Sequence, residues 1–206
     1  MFNITITLAI IFITGIISIA GFRQNKIIDD LIFWPPAISK QHQYYRFISC
    51  GLIHADYMHL IFNMVTLYFF GTIMEAHYQG ELGLQKWYYL ALYIGALIVS
   101  NIPTYIKHRH DAEYRSLGAS GAVSAVLFAF ILLSPWQQIL VIVFPVPAII
   151  YGGLFLFYSA YMSRKGGDHV NHDAHFYGAL FGILFTIAVR PIVVDVFLNE
   201  LRHPHF

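Results

Sequence analysis

Charged residues are scarce in this chain. Asp, Glu, Lys and Arg make up 11% of the residues, whereas a typical soluble domain contains about 25%. Hydrophobic residues account for 58%, and the mean hydropathy is +0.61. These values predict an integral membrane protein. The formal net charge of +1 comes without a dense cluster of Lys and Arg, so the sequence predicts no face that binds nucleic acid.

Cysteine is almost absent, and repeats and low-complexity linkers are absent altogether. The single cysteine, Cys50, excludes an internal disulfide framework. The length predicts one compact domain over residues 1–206. The N-terminus has no positively charged region, and its apolar run is longer than a signal-peptide core, so we expect a membrane span there.

Long apolar runs are what the chain does contain. A helix needs about 20 apolar residues to cross the hydrocarbon core of a bilayer, and by this measure the sequence predicts an all-α bundle of six transmembrane helices. The predicted spans are residues 3–22, 57–78, 87–105, 117–134, 139–162 and 174–198. Pro145 and Pro147 are predicted to bend the fifth span. Residues 23–56 are too long and too aromatic for a plain connector, and they predict a structured loop lying partly in the headgroup layer.

Polar residues collect at one end of three predicted spans. Spans two, four and six cross in the same direction, so their N-terminal ends lie on one side of the membrane. These ends carry His54, His59, Asn63, Ser120 and His175. Polar side chains inside a membrane are costly and mark a functional site by default. The pattern favours Ser120 as a nucleophile and His175 as its base.

Small residues predict how two of these spans pack. One stripe on span six contains Ala174, Gly178 and Gly182, and another on span four contains Gly121, Ala125 and Ala129. Such stripes let helices approach closely, so packing span four on span six would carry the serine hydroxyl to the imidazole. His59 and Asn63, four residues apart, share a helical face. Glu75, four residues after Gly71, is expected to be a structural hydrogen-bond acceptor.

Together these motifs resemble the rhomboid family of intramembrane serine proteases with a bacterial-type six-helix core. They are His59-Leu-Ile-Phe-Asn63 with His54 upstream, Gly71 with Glu75, Gly118-Ala-Ser120-Gly121, and Ala174-His175 with Gly178 and Gly182. The resemblance implies an endopeptidase that cuts transmembrane segments with a Ser–His dyad. It also implies that His59 and Asn63, beside Gly118 and the backbone N–H of Ser120, stabilise an oxyanion. We expect no cofactor and no metal.

Other residues are assigned supporting roles by the resemblance. They are His54, Arg46, Glu75, Gly121, Gly178 and Gly182. Two positions depart from the family pattern. Tyr45 precedes Arg46 where the family usually has tryptophan, and Ser124 stands where an aromatic residue often packs the catalytic imidazole.

Several alternatives remain open on the sequence alone. Ser120, His175 and Asn63 could be packing or hydrogen-bonding residues between helices. Histidines at 169, 172 and 175 beside Asp168 and Asp173, or the pair His108 and His110, could hold a metal ion, while His203 and His205 look like a solvated tail. A catalytically silent rhomboid-like protein that binds membrane clients and a transporter or channel are the other function classes.

The predicted partners are transmembrane protein substrates and the lipid bilayer, and the predicted location is a bacterial plasma membrane. In the family arrangement, the active site and the loops after spans one, three and five face outward. Those loops hold nine of the 12 Lys and Arg residues, so the positive-inside rule points the opposite way. We follow the family arrangement, because the first loop is long and structured.

Overall fold

A computed structural model describes residues 4–141, 143–168 and 170–204. Within these ranges the chain forms ten helices and one two-stranded hairpin. The helices are α1 Ile6–Arg23, α2 Asn25–Leu31, α3 Pro35–Gln41, α4 Arg46–Ser49, α5 Tyr57–Gln79, α6 Lys86–His108, α7 Ser120–Leu133, α8 Ala148–Lys165, α9 His172–Val189 and α10 Val193–Arg202. The strands are β1 Gln138–Val141 and β2 Phe144–Pro147. A short 3₁₀ turn follows α4, and a π-helical turn interrupts α5 at Leu67–Gly71.

Helix α7 lies at the centre of the molecule. All of its 14 residues except Ser120 are buried, as expected of a helix that is hydrophobic on every side. At a rise of about 1.5 Å per residue it spans about 21 Å, whereas the hydrocarbon core is about 30 Å thick. Helix α7 is therefore shorter than the hydrocarbon core is thick.

Glycine allows α9 to pack directly on the backbone of α7. A Cβ atom on Gly178 would overlap the carbonyl oxygen of Gly121, and one on Gly182 would overlap that of Ala125. The predicted contact between the two small-residue stripes is confirmed at these positions. The register of the two helices is fixed here, because no larger side chain fits between them.

Glu75 joins α5 to the beginning of α1. Its carboxylate accepts hydrogen bonds from the backbone N–H of Ile6 at 2.8 Å, from the N–H of Thr7 at 2.9 Å and from the Thr7 hydroxyl at 2.8 Å. The first N–H groups of a helix have no partner within the helix, and the helix dipole favours a negative charge there. Glu75 is thus a structural hydrogen-bond acceptor, as the sequence predicts.

The prediction for the fifth span was wrong at its start. Residues 138–141 and 144–147 form the paired strands β1 and β2, in which Leu140 pairs with Pro145 and Gln138 pairs with Pro147. A proline has no N–H and its ring clashes with the preceding helical turn, so two prolines within three residues disfavour a helix here. Helix α8 begins only at Ala148, with Pro147 as its N-cap, and ends at Lys165. The fold is therefore mostly helical, with a small β-hairpin that an all-α prediction misses.

The sixth span also ends earlier than predicted. Helix α9 stops at Val189, and α10 forms a separate helix. Pro191 explains the break, because proline disfavours the helical conformation of the residue before it. At the N-terminus, α1 begins at Ile6, and the predicted start of the first span at Asn3 lies outside the described residues.

The count of six membrane spans is not confirmed. Among the described residues, four helices are long and apolar enough to cross a membrane, namely α1, α5, α6 and α9. Helix α7 is apolar but shorter. A multi-pass membrane architecture is consistent with these helices, with α7 enclosed by the others.

Candidate functional site

Ser120 and His175 meet where α7 contacts α9. The Oγ atom of Ser120 lies 2.8 Å from Nε2 of His175, within hydrogen-bonding distance, although the residues are 55 positions apart in the chain. Ser120 is the first residue of α7, and His175 is in the first turn of α9. The side chains are thus brought together by the two helix beginnings that the glycine contacts hold in register.

Asn171 fixes the start of α9. Its side-chain oxygen accepts a hydrogen bond from the backbone N–H of Ala174 at 3.1 Å and one from the hydroxyl of Thr104 on α6 at 3.0 Å. Asn is among the preferred N-cap residues, so this role was readable in the sequence, although we did not predict it. The cap anchors the turn that carries His175 to a third helix.

The loop leading into Ser120 is held by the first loop of the protein. Phe33 and Ser116 exchange two backbone hydrogen bonds, of 3.0 and 3.1 Å, and the N–H of Gly118 donates to the carbonyl oxygen of Cys50 at 2.9 Å. The predicted structured loop is therefore present as α2, α3 and α4. Its contact with the chain just before Ser120 is a function that the sequence did not reveal.

Arg46 holds the first loop together. One guanidinium nitrogen donates to the carbonyl oxygens of Asp29, at 2.9 Å, and Ile32, at 2.7 Å, while Nε donates to the side chain of Gln43 at 2.5 Å. The side chain is 5% exposed, and it satisfies carbonyl groups at the end of α2. Tyr45, in the position where tryptophan is usual, lies beside this guanidinium at 5.5 Å.

His54 links the first loop, α1 and the residue before Ser120. Its Nε2 accepts a hydrogen bond from the N–H of Ala119 at 3.4 Å, and its Nδ1 lies 3.0 Å from Oγ of Ser18, whose hydroxyl donates to the carbonyl oxygen of Leu52. These partners require a neutral imidazole with its proton on Nδ1. Burial, followed by the nearby His59, lowers the pKa of His54 to about 3.

His59 packs against Gly118 in the loop before Ser120. The side chain of Asp56 accepts from the N–H of His59 at 2.8 Å and caps the start of α5. The His59 ring lies edge-on to His54, with ring centroids 4.9 Å apart. A Cβ atom on Gly118 would lie 2.6 Å from Cε1 of His59. Only glycine leaves room for the imidazole at this position.

Asn63 lies one turn further along the same face of α5. Its side chain is 6% exposed, and Nδ2 donates to the carbonyl oxygen of His59 at 2.9 Å. A primary amide nitrogen carries two hydrogens, so a second N–H is available for another acceptor. Because Ser120 begins α7, its backbone N–H has no acceptor within that helix. The end of the bundle around Ser120 thus offers several N–H donors.

A family profile described as "Rhomboid domain" matches residues 41–192, which is most of the chain. The chain belongs to the rhomboid family. The matched region includes Ser120, His175, His54, His59 and Asn63, whereas Ser18 and Phe33 precede it.

Curated relatives share about a quarter to a third of the matched residues. The chain is 26% identical to "RHOMBOID-like protein 12, mitochondrial" of Arabidopsis thaliana over 73% of its length, and it covers 48% of that protein. It is 28% identical to "Putative rhomboid protease YdcA" of Bacillus subtilis over 70% of its length, and it covers 66% of that protein. It is 31% identical to "Rhomboid protein 1, mitochondrial" of Saccharomyces cerevisiae over 67% of its length, and it covers 40% of that protein. The chain thus spans about half the length of these relatives.

The departure from the rhomboid pattern at Ser124 has a structural counterpart. Ser124 is buried on α7 and brings no ring to His175. Instead, Phe155 of α8 lies beside the imidazole, with ring centroids 5.8 Å apart and an angle of 31° between the planes. The sequence did not single out Phe155, because nothing in its local pattern shows which face of α8 meets α9.

The histidines considered for a metal ion are arranged differently. Nε2 of His172 lies 3.0 Å from the carboxylate of Asp168, and this hydrogen bond lowers the pKa of Asp168. Among the described residues no group of three His, Cys, Asp or Glu side chains is placed to hold a metal. His169 and His205 lie outside those residues.

Proposed function

We propose that this protein is an intramembrane serine endopeptidase that cleaves transmembrane segments of other membrane proteins. The observation that carries the proposal is the 2.8 Å contact between Ser120 Oγ and His175 Nε2 at the beginning of a buried helix. Membership of the rhomboid family supports it. Since the chain spans only part of its relatives' length, the activity is inferred from the site.

His175 is the general base in this proposal. A serine hydroxyl is a weak nucleophile, and a base within hydrogen-bonding reach activates it. Ser120 Oγ attacks the carbonyl carbon of the scissile peptide bond while His175 Nε2 takes the hydroxyl proton. The imidazolium then returns the proton to the leaving amine, and an acyl-enzyme remains. Water activated by His175 hydrolyses the ester and restores the serine.

The developing oxyanion requires donors that are already in place. The backbone N–H of Ser120 lies at the positive end of the α7 dipole. We assign further donors to the side chains of Asn63 and His59. Loss of one such donor typically lowers turnover by about 10²–10³, and we expect Asn63→Ala to fall in this range.

Hydrolysis requires water at a site near membrane helices. A cavity of about 380 Å³ opens at the same end of the bundle, with His54, Asp56 and Leu117 among its lining residues. Ser120 is not among the residues that line it, but Leu117 is three residues away. This cavity supports a water supply from the adjacent membrane surface.

The proposed partners are the lipid bilayer and transmembrane substrates. The curated relatives carry mitochondrial and bacterial names, and they therefore do not support the predicted bacterial plasma membrane over other membranes. For orientation we retain the family arrangement, with the site facing outward. A reporter fused after Phe206 should then lie inside, and a reporter found outside would reverse the assignment.

The proposal is tested by cleavage of a single-span substrate in liposomes. We expect the wild type to cut, and Ser120→Ala and His175→Ala to lose cleavage. Ser124→Ala is the matched control, because it removes a buried hydroxyl one turn away on α7 and should remain active. A wild type that binds the substrate without cutting would favour a silent, client-binding rhomboid protein.

A further inference from the structure

An aromatic ring reaches His175 from α8 and not from α7. Phe155 lies 5.8 Å from the imidazole, centroid to centroid. His175 uses Nε2 for Ser120, so its imidazole must keep one orientation. Without packing against the imidazole, both side-chain torsions of His175 would be free to rotate. At Ser124, the position on α7 that could supply an aromatic ring, the hydroxymethyl group is too short to do so.

Phe155 belongs to a regular contact between two helices. Phe155 faces His175, and Tyr158 faces His172 with ring centroids 5.5 Å apart. In each helix the two residues are three positions apart and therefore share a face. The two aromatic residues of α8 thus pair with the two histidines of α9 in antiparallel order.

Phe155 is itself held on other sides. Its ring centroid lies 5.7 Å from that of Phe128 on α7 and 5.9 Å from that of Tyr151. Gly152 allows this approach, because a Cβ atom there would lie 2.9 Å from Cδ1 of Ile131 and 3.3 Å from Cε1 of Phe128. The ring therefore rests between α7 and α9 and can transmit the position of both helices to the imidazole.

We propose that Phe155 is a positioning residue for His175. Its ring, on α8, takes the place of the aromatic ring that Ser124 does not provide on α7. The inference rests on the proposed function, and it adds that the base is oriented by a helix that carries neither member of the dyad. Phe155 is assigned no contact with substrate. Its loss should therefore reduce turnover and leave substrate binding unchanged.

Three substitutions at position 155 distinguish the effect of an aromatic ring from the effect of apolar volume alone. The free energy that an aromatic pair contributes corresponds to a change of about three- to tenfold in an equilibrium constant or a rate. We expect Phe155→Ala and Phe155→Leu to lower kcat by about this factor with KM unchanged, and Phe155→Tyr to stay near the wild type. Phe157→Ala is the matched control, because Phe157 is on the same helix and 73% exposed, and it should leave kcat unchanged.

A transplanted ring provides the converse test. In the Phe155→Ala background, Ser124→Phe places an aromatic side chain on α7, one turn after Ser120. We expect kcat to recover at least in part. Full activity of Phe155→Ala, or recovery by Phe155→Leu alone, would overturn the proposal, since apolar volume and not a ring would then suffice.

A structural readout separates this inference from the proposed function. In NMR spectra of protein with ¹⁵N-labelled histidine, the wild type should show one sharp set of His175 ring signals. Phe155→Ala and Phe155→Leu should broaden or split them, while Phe157→Ala should not. A wild type that never cuts would contradict the proposed function, and signals unaffected by loss of the ring would contradict the role of Phe155.

Discussion

The imidazole of His59 lies directly against the backbone of Gly118, two residues before Ser120. Gly118 has a φ of +114°, and a Cβ atom there would lie 2.6 Å from Cε1 and 2.7 Å from Nε2 of His59. Backbone conformation and close contact thus both require glycine at this position. The relation places one proposed oxyanion-stabilising side chain against the loop that delivers the nucleophile.

Gly118→Ala should therefore disturb the site as well as the backbone. The left-handed conformation alone destabilises a non-glycine residue by about 1–2 kcal/mol, and the displaced His59 should lower cleavage further. Gly83→Ala is the control, because Gly83 also has a positive φ, of +60°, but has nothing near its missing side chain. Equal effects of the two substitutions on cleavage, measured beside thermal unfolding, would mean that the contact with His59 is unimportant.

Glu75→Gln should loosen the attachment of α1. The neutral amide replaces a carboxylate that accepts from two backbone N–H groups and a hydroxyl. Leaving a buried donor without its acceptor costs about 1–3 kcal/mol, and we expect unfolding in detergent to occur at lower temperature. Glu81→Gln is the control, since Glu81 pairs with His77 and its side chain is 68% exposed. An unfolding midpoint for Glu75→Gln that equals the control would contradict the anchoring role.

His54 should make stability depend on pH. Its pKa falls from 6.5 to about 3 on folding because of burial, so between these values the unfolded chain binds a proton that the folded chain does not. The stabilisation from its neutral form is complete above pH 6.5 and is lost as the pH falls towards 3, by at most about 1.4 kcal/mol per pH unit.

His54→Gln isolates this contribution from that of the other histidines. Compared with the wild type, its unfolding free energy should fall less steeply between pH 6.5 and 4, because glutamine at position 54 takes up no proton in the unfolded chain. His110→Gln changes an exposed histidine and should retain the slope of the wild type. Parallel curves for the wild type and His54→Gln would show that His54 is not the titrating group.

Sequence patterns predicted the features that depend on residue type at helix ends and contacts. Gly178 and Gly121 mark the close approach of α9 and α7. A buried carboxylate such as that of Glu75 needs hydrogen-bond donors, and the start of a helix provides them. The pairing of β1 with β2 was missed because the apolar residues of these strands resemble a span, and the helix-breaking effect of Pro145 was underestimated. Phe155 could not be predicted, since its contact depends on how α8 is rotated against α9.

Reaction with a fluorophosphonate tests the activation of Ser120 most directly, because this reagent modifies activated serines and needs no knowledge of the natural substrate. We predict one adduct, located on Ser120 by mass spectrometry, with the Ser120→Ala protein unlabelled and the His175→Ala protein labelled at least about 100-fold more slowly. Ser124→Ala should react as the wild type does. An adduct on another serine, or equal labelling rates with and without His175, would contradict the claim that His175 activates Ser120.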